Sequence, residues 1–280
     1  MEEWSRPLSE VEFVAFDLET TGLWPISCRI VEFGAQRFRL DGQPLGSMEQ
    51  LVDPECPIPP QAMRIHGITD AMVRGKPAVA DVLPKFLKFL GGPETMLLAH
   101  NASFDLGFLR VALVKAGLEF PPHPVVDTLD LFRTCLRGPH SYRLEAIAFH
   151  LGVADAEEHR ALSDVRLLEA VFRKTVGRIG NLQTVGDLFR LSRPIYFGDG
   201  GERTIEPPAG YEELGAAIEQ QQTIVMVYEG GAGGPGQRRV TPRGLLQSRG
   251  RSYLTAYCHT SLIEKTYRLD RIREFFIEER

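Results

Sequence analysis

The chain has 280 residues, of which 43% are hydrophobic and 25% charged, and its formal net charge is −5. This length accommodates one large α/β domain and a small second domain, and the composition excludes an intrinsically disordered chain. No apolar run approaches the ~20 residues of a membrane helix, and the first ten residues are acidic, so the sequence predicts a soluble cytoplasmic protein with no membrane partner. The cysteines are scattered without a CxxC pair, which predicts buried, reduced thiols at Cys28, Cys56, Cys135 and Cys258.

Short strand-like runs alternate with helical patterns in residues 1–192, the first predicted domain. Strands are predicted at residues 11–19, 29–39, 50–52, 96–100 and 125–127. Helices are predicted at residues 80–90, 104–116, 128–136, 142–151 and 162–176. We expect the first three strands to be antiparallel and the last two, each followed by a helix, to be parallel. The pattern therefore predicts a mixed sheet flanked by helices, in the order of an RNase H-like α/β fold.

A stretch rich in proline and glycine, residues 193–210, predicts a linker to a second domain at 211–280. That domain begins with a predicted helix at 211–221. Six short strands follow, at residues 223–228, 239–241, 244–247, 253–258, 265–268 and 274–277. They predict a small all-β barrel, and GGAGGPG at 230–236 predicts a flexible hairpin loop. Just before the linker, NLQTVGDLF (181–189) predicts an amphipathic helix packed on the first domain rather than a peptide that binds a sliding clamp.

Two carboxylates share one face of the first predicted strand. In VEFVAFDLETTG, side-chain alternation places Asp17 and Glu19 on the same face as Phe13 and Ala15. A D-x-E pair on a strand is ordinarily a solvated polar edge. Paired like charges beside so much apolar surface are costly unless a cation compensates them, so the pattern favours a metal site.

Three further residues extend this candidate site. Asp105 lies at the start of a predicted helix, where a capping role is an equal alternative. Asp164 shares the apolar stripe of its helix with Leu168 and Val171, and a buried carboxylate needs a partner. His159, in the loop before that helix, would by itself be interpreted as a surface or capping histidine. Together with the strand pair, these residues offer oxygen ligands for Mg²⁺ or Mn²⁺ and a titratable base.

The motifs FDLETTG, HNASFD and HRALSD, in this order, resemble the three exonuclease motifs of the DnaQ-like DEDDh family, which includes the proofreading epsilon subunit of bacterial DNA polymerase III. The resemblance covers about residues 12–178 and includes IHGITD at 65–70. It implies an RNase H-like fold and a 3′–5′ exonuclease with two divalent cations. Such an enzyme releases nucleoside 5′-monophosphates from single-stranded or frayed DNA.

The resemblance also implies roles for individual residues. The implied metal ligands are Asp17, Glu19, Asp105 and Asp164. His159 is the implied general base, and Asp17 bridges both ions. The implied contacts with the terminal nucleotide or its phosphate are Thr20, Thr21, Gly22, Leu23, His66, Asn101 and Phe104. For Phe104, a place in the core is the alternative to stacking on a base.

Basic residues concentrate near the C-terminus. Between residues 237 and 273, nine arginines and lysines stand against Glu264 and Asp270, so this segment is strongly positive in an acidic chain. Residues 212–277 resemble a WYL domain, a small Sm-like or SH3-like barrel of bacterial regulators and nucleases, through RRVTPRGLLQSRGRSYLTAYC and YRLDRI. The resemblance implies a nucleic-acid or ligand site at Arg239, Arg243, Tyr253, Arg268 and Arg271. A solvated barrel surface is the alternative.

Three functions compete at this point. The first is a metal-dependent DNA exonuclease whose WYL domain binds nucleic acid or regulates activity. The second is a 3′–5′ exoribonuclease, since the same residues serve RNA trimming and nothing here reads a 2′-hydroxyl. The third is a non-catalytic nucleic-acid-binding regulator, against which the complete set of five catalytic residues counts. The sequence leaves open the WYL ligand, association with a polymerase or clamp, and the oligomeric state.

Overall fold

The fold is that of a computed structural model, which describes residues 3–42, 44–153, 159–230, 234–248 and 250–278. The chain divides into two compact units. One consists of Met1–Leu23, Cys28–Leu109 and Phe120–Asp199, and the other of Trp24–Ser27, Arg110–Glu119 and Gly200–Arg280. Among the described residues, no helix has the length and apolar character needed to cross a membrane.

The first unit is built on a mixed sheet. Its strands are β1 (Phe13–Thr20), β2 (Ile30–Phe38), β3 (Pro44–Leu51), β4 (Met96–Ala99) and β5 (Val125–Asp127). Their order is β3-β2-β1-β4-β5, with β1 to β3 antiparallel and β4 and β5 parallel to β1, which confirms the predicted fold class. Most of β3 was not predicted, because this edge strand is largely exposed and lacks an apolar alternation.

Helices cover both faces of this sheet. They are α1 (Pro60–His66), α2 (Asp70–Val73), α3 (Val79–Leu90), α4 (Ala102–Ala116), α5 (Thr128–Cys135), α6 (Leu144–Leu151), α7 (Ala161–Arg178) and α8 (Val185–Leu191). The two short helices α1 and α2 were not predicted. Helix α8 begins in a capping box between Thr184 and Asp187 and buries Val185 and Leu188, in agreement with the packed-helix interpretation of that segment.

Aromatic side chains fill the core on both sides of β1. Phe13 packs against Phe172 of α7, with ring centroids 5.2 Å apart. Phe16 packs on the other face against Phe86 of α3, with centroids 6.0 Å apart. The alternation predicted for β1 is therefore present, and Asp17 and Glu19 lie on the face that α7 covers.

Helix α7 packs closely against β2. A Cβ at Gly34 would lie 2.2 Å from the carbonyl carbon of Ala161, so only glycine permits this approach. Further along the same face, the Gln36 side chain hydrogen-bonds Glu169, and the Arg173 guanidinium lies 4.7 Å from the Phe38 ring centroid. Because Gly34 pairs with Asp17 in the sheet, this contact sets the height of α7 above the carboxylates of β1.

The second unit contains a wholly antiparallel sheet, as predicted for its fold class. Its strands are β6 (Arg203–Thr204), β7 (Ile224–Tyr228), β8 (Gly236–Ser248), β9 (Arg251–Cys258), β10 (Ile263–Arg268) and β11 (Ile272–Ile277). Their order is β10-β9-β8-β7-β11, with β6 paired to β8. Helix α9 (Glu212–Glu219) contributes Leu214 and Ala217 to the core of this unit.

Some local expectations for this part of the chain need correction. The two strands predicted at 239–241 and 244–247 are one strand, β8, whose register shifts between Pro242 and Gly244 because proline cannot donate to the ladder. The predicted linker contains a 3₁₀ turn, Phe197–Gly200, and strand β6. Part of the predicted hairpin loop, residues 231–233, lies outside the described residues.

The cysteines are free thiols, as predicted. The expectation that all are buried is wrong for Cys28, Cys56 and Cys135, which are half-buried. Cys28 and Cys56 lie in loops, and Cys135 is the last residue of α5, so solvent reaches all three. Cys258 is buried in the core of the second unit.

We predict opposite effects for two glycine substitutions. Gly34→Ala should destabilise the protein by about 1–3 kcal/mol, because the added methyl group meets the backbone of α7. Gly177 lies in α7 itself, with open space around an added methyl group, so Gly177→Ala should be neutral or stabilise the protein by up to ~1 kcal/mol. Urea unfolding measures both, and equal effects would contradict the close packing of α7 on β2.

Candidate active site

The carboxylates lie where β1 extends beyond its parallel neighbour. β1 pairs with β4 only from Phe13 to Ala15, so its edge is open beyond that point. Asp105, in the first turn of α4, occupies this opening, and the Leu18 N–H donates to its Oδ1 at 3.1 Å. The side chain thus replaces a missing strand partner for β1, and it is 2% exposed.

Three carboxylates converge from two elements. Asp17 and Glu19 project from β1, and Asp164 projects from the first turn of α7. One ligand oxygen from each lies within 4.8 Å of the other two. Asp105 lies outside this group of three among the described residues, but the charge of Asp17 acts on it. The structure therefore brings together the acidic residues that the sequence singled out.

The electrostatics of this cluster are unfavourable without a counter-ion. Burial raises the pKa of Glu19 to about 9, and the neighbouring charges of Asp17 and Asp164 add to this effect. Burial also raises the pKa of Asp105, with Asp17 as the second cause. Clustered oxygen donors with a shared excess of negative charge are the donor set of Mg²⁺ and Mn²⁺, so these residues fit a hard divalent cation.

His159 lies at the entrance to α7. It is exposed and adopts a left-handed conformation, with φ of 50°, one residue before the N-cap residue Arg160. This places His159 at the same end of α7 as Asp164. Residues 154–158, which precede it, lie outside the described residues.

Sequence reasoning missed two residues that hold this end of α7. Glu32 of β2 is 0% exposed, and its Oε2 accepts from the Ala161 N–H at 3.0 Å and from Arg160 Nε at 3.1 Å. Arg160 also reaches Glu49, at 3.2 Å. Glu32 is the cross-strand partner of Glu19, yet its charge is balanced by Arg160. A glutamate within an otherwise apolar strand, RIVEFGAQ, was the available indication.

The loop after β1 is held by its own threonines. Thr20 Oγ1 donates to the Gly22 carbonyl at 2.8 Å, and Thr21 Oγ1 accepts from the Arg29 N–H at 2.9 Å. Both threonines are buried, so their hydroxyls serve the loop itself. Leu23, which follows, is 72% exposed. The segment thus ends in a large apolar side chain that is exposed to solvent.

His66 is the last residue of α1 and has a defined tautomer. Its Nδ1 accepts from the Ile68 N–H at 3.0 Å, so the proton resides on Nε2. The Nε2 atom is buried and has no hydrogen-bond partner among the described residues. Burial is the main cause that lowers the pKa of His66. His66 therefore offers one N–H donor.

The other predicted substrate contacts lie at the start of α4. Asn101 is exposed, with φ of 65°, and its N–H donates to Asp127 Oδ1 at 3.0 Å. Phe104 is half-buried and packs on Phe108, with ring centroids 5.1 Å apart. Phe104 thus keeps an accessible part of its ring.

Most arginines predicted for a site in the second unit are engaged by acidic residues. Arg239 pairs with Glu278 at 2.7 Å, Arg243 lies 3.8 Å from Glu264, and Arg268 pairs with Asp270. Arg271 is exposed, and the ion pairs found among the described residues do not include it. Tyr253 of β9 is half-buried. The local excess of positive charge in the sequence is therefore partly neutralised, in one case by Glu278, which lies outside the counted segment.

Comparison with known proteins agrees with this architecture. Residues 14–172 match the family model described as an exonuclease, and residues 210–277 match that of the WYL domain. The first match covers more than half of the chain, and the chain belongs to this DnaQ-like exonuclease family. Its C-terminal part is a WYL domain.

Relatives share the first unit. The PolC-type DNA polymerase III of Clostridium perfringens is 34% identical over 181 residues, which is 65% of this chain and 12% of that protein. The PolC-type polymerase of Thermotoga petrophila is 39% identical over 165 residues, which is 59% of this chain and 12% of that protein. The chain thus spans a small fraction of these relatives.

Solved structures give the same picture. Exonuclease X in complex with 5′-overhanging duplex DNA is 30% identical, with a TM-score of 0.50, and the match covers 64% of this chain and 98% of that one. E. coli exonuclease I in complex with a dA16 oligonucleotide has a TM-score of 0.58 at 21% identity, covering 89% of this chain and 55% of that one, and this likeness concerns the fold alone.

We predict that Mg²⁺ stabilises the protein more at high pH. Because the folded pKa of Glu19, about 9, exceeds its unfolded value, the folded state binds more protons, and stability without metal falls as the pH rises from about 4.5 to about 9. Protons compete with the cation for the same oxygens. The increase in Tm that Mg²⁺ produces over EDTA should be larger at pH 8.5 than at pH 6.0, and Glu19→Gln should reduce this difference. An increase independent of pH would contradict the cluster.

A second prediction separates the two carboxylates that Arg160 binds. Glu32→Ala should cost about 2 kcal/mol or more, because it leaves the buried N–H of Ala161 and the guanidinium of Arg160 without this acceptor. It should also reduce the increase in Tm with Mg²⁺, since the start of α7 carries Asp164. Glu49→Ala is the control, because its side chain is 47% exposed and such surface pairs contribute little. Urea unfolding and Tm with Mg²⁺ measure both.

Proposed function

We propose that this protein is a 3′–5′ exonuclease that hydrolyses the terminal phosphodiester of single-stranded or frayed DNA in the presence of Mg²⁺ or Mn²⁺. The observation that carries the proposal is the convergence of Asp17, Glu19 and Asp164, whose oxygens approach within 4.8 Å, in a domain of the exonuclease family. The likeness to exonuclease X, solved with DNA, supports DNA as the substrate. Products are nucleoside 5′-monophosphates.

The acidic residues bind the cations, and His159 accepts a proton. Asp17, Glu19, Asp105 and Asp164 hold the cations, which, when bound, lower the pKa of water and neutralise charge on the phosphodiester. His159 accepts the proton of the attacking water as its oxygen bonds to the terminal phosphorus. The bond from that phosphorus to the 3′ oxygen of the preceding nucleotide breaks, and this oxygen keeps the electron pair and takes a proton from water, which leaves a new 3′-hydroxyl. The exposure of His159 lets it return the proton to solvent.

The terminal nucleotide lies between the loop after β1 and α1. The backbone of Thr20–Gly22 holds the sugar, and the exposed Leu23 side chain wedges against the base. The N–H of His66 Nε2 donates to the 3′ end or its phosphate. Asn101 and Phe104 contact the nucleotide from the start of α4.

The WYL domain, in this proposal, assists by binding nucleic acid or by regulating activity. Among its predicted contact residues, Arg271 is exposed and free of the described ion pairs, whereas Arg239 is held by Glu278. We therefore expect Arg271→Ala to weaken the binding of a 30-nucleotide strand and to flatten its salt dependence, by about 0.7 in the slope for each lost phosphate contact. Arg239→Ala should have less effect. If neither variant differs from wild type, the barrel does not grip the strand.

Matched DNA and RNA strands test the reaction directly. Oligonucleotides of the same sequence, labelled at the 5′ end, are incubated with Mn²⁺ and read as ladders on a gel. We expect DNA to shorten one nucleotide at a time from its 3′ end, with release of 5′-monophosphates. Faster shortening of RNA would instead identify an exoribonuclease. Binding without shortening of either strand would identify a non-catalytic binding protein.

Substitutions in the site should separate metal binding from proton transfer. Asp17→Ala should abolish turnover, and without metal it should melt no lower than wild type because like-charge repulsion is relieved. His159→Ala should keep the increase in Tm with Mg²⁺ and the affinity for DNA, but lose on the order of 10²- to 10⁴-fold in rate. Turnover of His159→Ala within about fivefold of wild type would exclude it as the base.

A further inference from the structure

A cleft of about 470 Å³ opens beside the candidate active site. Asp17 and Asp164 line one part of it. Arg133 of α5 and Arg143, directly before α6, line another part. The cleft therefore joins the acidic cluster to a surface that carries positive charge.

A second depression lies along α6. It has a volume of about 420 Å³, shares Ser141 and Arg143 with the first, and is also lined by His140, Glu145, Ala146 and Phe149. Phe149 is 68% exposed, a large fraction for an aromatic side chain on a short helix. The two depressions adjoin at Ser141 and Arg143, and together they are called the groove. Arginine lines it near the acidic cluster, and Glu145 and the Phe149 ring line it further away. Proteins bind single-stranded nucleic acid with basic side chains that contact the phosphates and aromatic side chains on which the bases stack.

The loop that carries this groove is held in place. His100 Nε2 lies 2.9 Å from the Tyr142 carbonyl oxygen, and its Nδ1 lies 3.1 Å from Thr128 Oγ1. The Tyr142 hydroxyl donates to the Leu136 carbonyl at 2.9 Å. These bonds tie Tyr142 to Leu136, at the end of α5, and to His100, which directly follows β4, so this part of the groove is preformed.

The charge of the groove is available to a ligand. Arg133 and Arg143 are exposed, and the ion pairs found among the described residues include neither. This contrasts with Arg239 and Arg268 of the second unit, which are paired with carboxylates. Phosphates are the complementary partner for two such guanidinium groups.

The order of the β-strands indicates the direction in which a bound DNA strand would run. β1 is central, with β2 on one side and β4 and β5 on the other. His66, the proposed contact of the 3′ end, lies toward β2, because α1 packs with Val31 of that strand. Arg133 of α5 and Arg143, directly before α6, follow β5 in the chain. A strand whose 3′ end contacts His66 crosses the acidic cluster and leaves over the arginines.

We propose that the nucleotides on the 5′ side of the scissile phosphate lie in this groove, with their phosphates at Arg133 and Arg143 and a base stacked on Phe149. The inference rests on the proposed function for its substrate. It assigns the binding of longer strands by the first unit to a surface that begins at the acidic cluster and extends to Arg133, Arg143 and Phe149.

Binding measured without turnover tests the groove. The full chain is titrated with 5′-labelled dT4 and dT16 in Ca²⁺ at several salt concentrations. For the double variant Arg133→Ala/Arg143→Ala, we expect the affinity gained between dT4 and dT16 to fall at least tenfold and the salt slope to flatten by about 1.4, for two phosphate contacts. Phe149→Ala should lose about tenfold with dT16 and keep the wild-type salt slope. Lys85→Ala/Lys88→Ala removes the same charge from α3, on the opposite face of the sheet, and should match wild type.

The outcomes separate this inference from the proposed function. If wild type binds dT16 in Ca²⁺ but does not shorten it in Mn²⁺, the exonuclease proposal fails. The groove proposal is then still tested by the dT16 affinities of the arginine and Phe149 variants. If the arginine double variant binds dT16 with wild-type affinity and salt slope, or if the Lys85/Lys88 control loses as much, the groove proposal is overturned. A 4-thiothymidine placed three nucleotides from the 3′ end should crosslink to residues 137–149, and crosslinking confined to other segments would also overturn it.

Discussion

The packing of α7 on β2 is the constraint on which the site depends. Gly34 lets the backbone of the helix approach the strand without a side chain between them, and Glu32 binds the first N–H of the helix together with Arg160. Through these two contacts, the first turn of α7 presents Asp164 above the end of β1. A carboxylate in the first turn also lies at the positive end of the helix dipole, which favours its ionised form.

The same packing makes the site electrostatically costly. Burial and neighbouring carboxylates raise the pKa of Glu19, so the unloaded site favours a bound proton. A divalent cation bound at the proposed site would replace that proton, so metal binding and the stability of the first unit would be coupled through pH.

Positive charge is distributed differently from what the sequence alone indicates. In the WYL domain, Arg239 and Arg268 form ion pairs with nearby carboxylates, whereas Arg133 and Arg143 are exposed beside the acidic cluster. The count of basic residues along the chain therefore does not tell which arginines are paired with carboxylates. Net charge in a segment predicts a polyanion site only when the partners of each arginine are known.

Local periodicity determined much of this protein from the sequence. A repeat of two placed Asp17 and Glu19 on one face, and a repeat of 3.6 placed Asp164 on the buried stripe of its helix, because each depends only on residues a few positions apart. Tertiary structure decided the rest. The ion pair of Arg160 with Glu32 joins residues 128 positions apart, and the need for glycine at position 34 exists only because α7 crosses it. Such contacts depend on how elements pack, which no local pattern encodes.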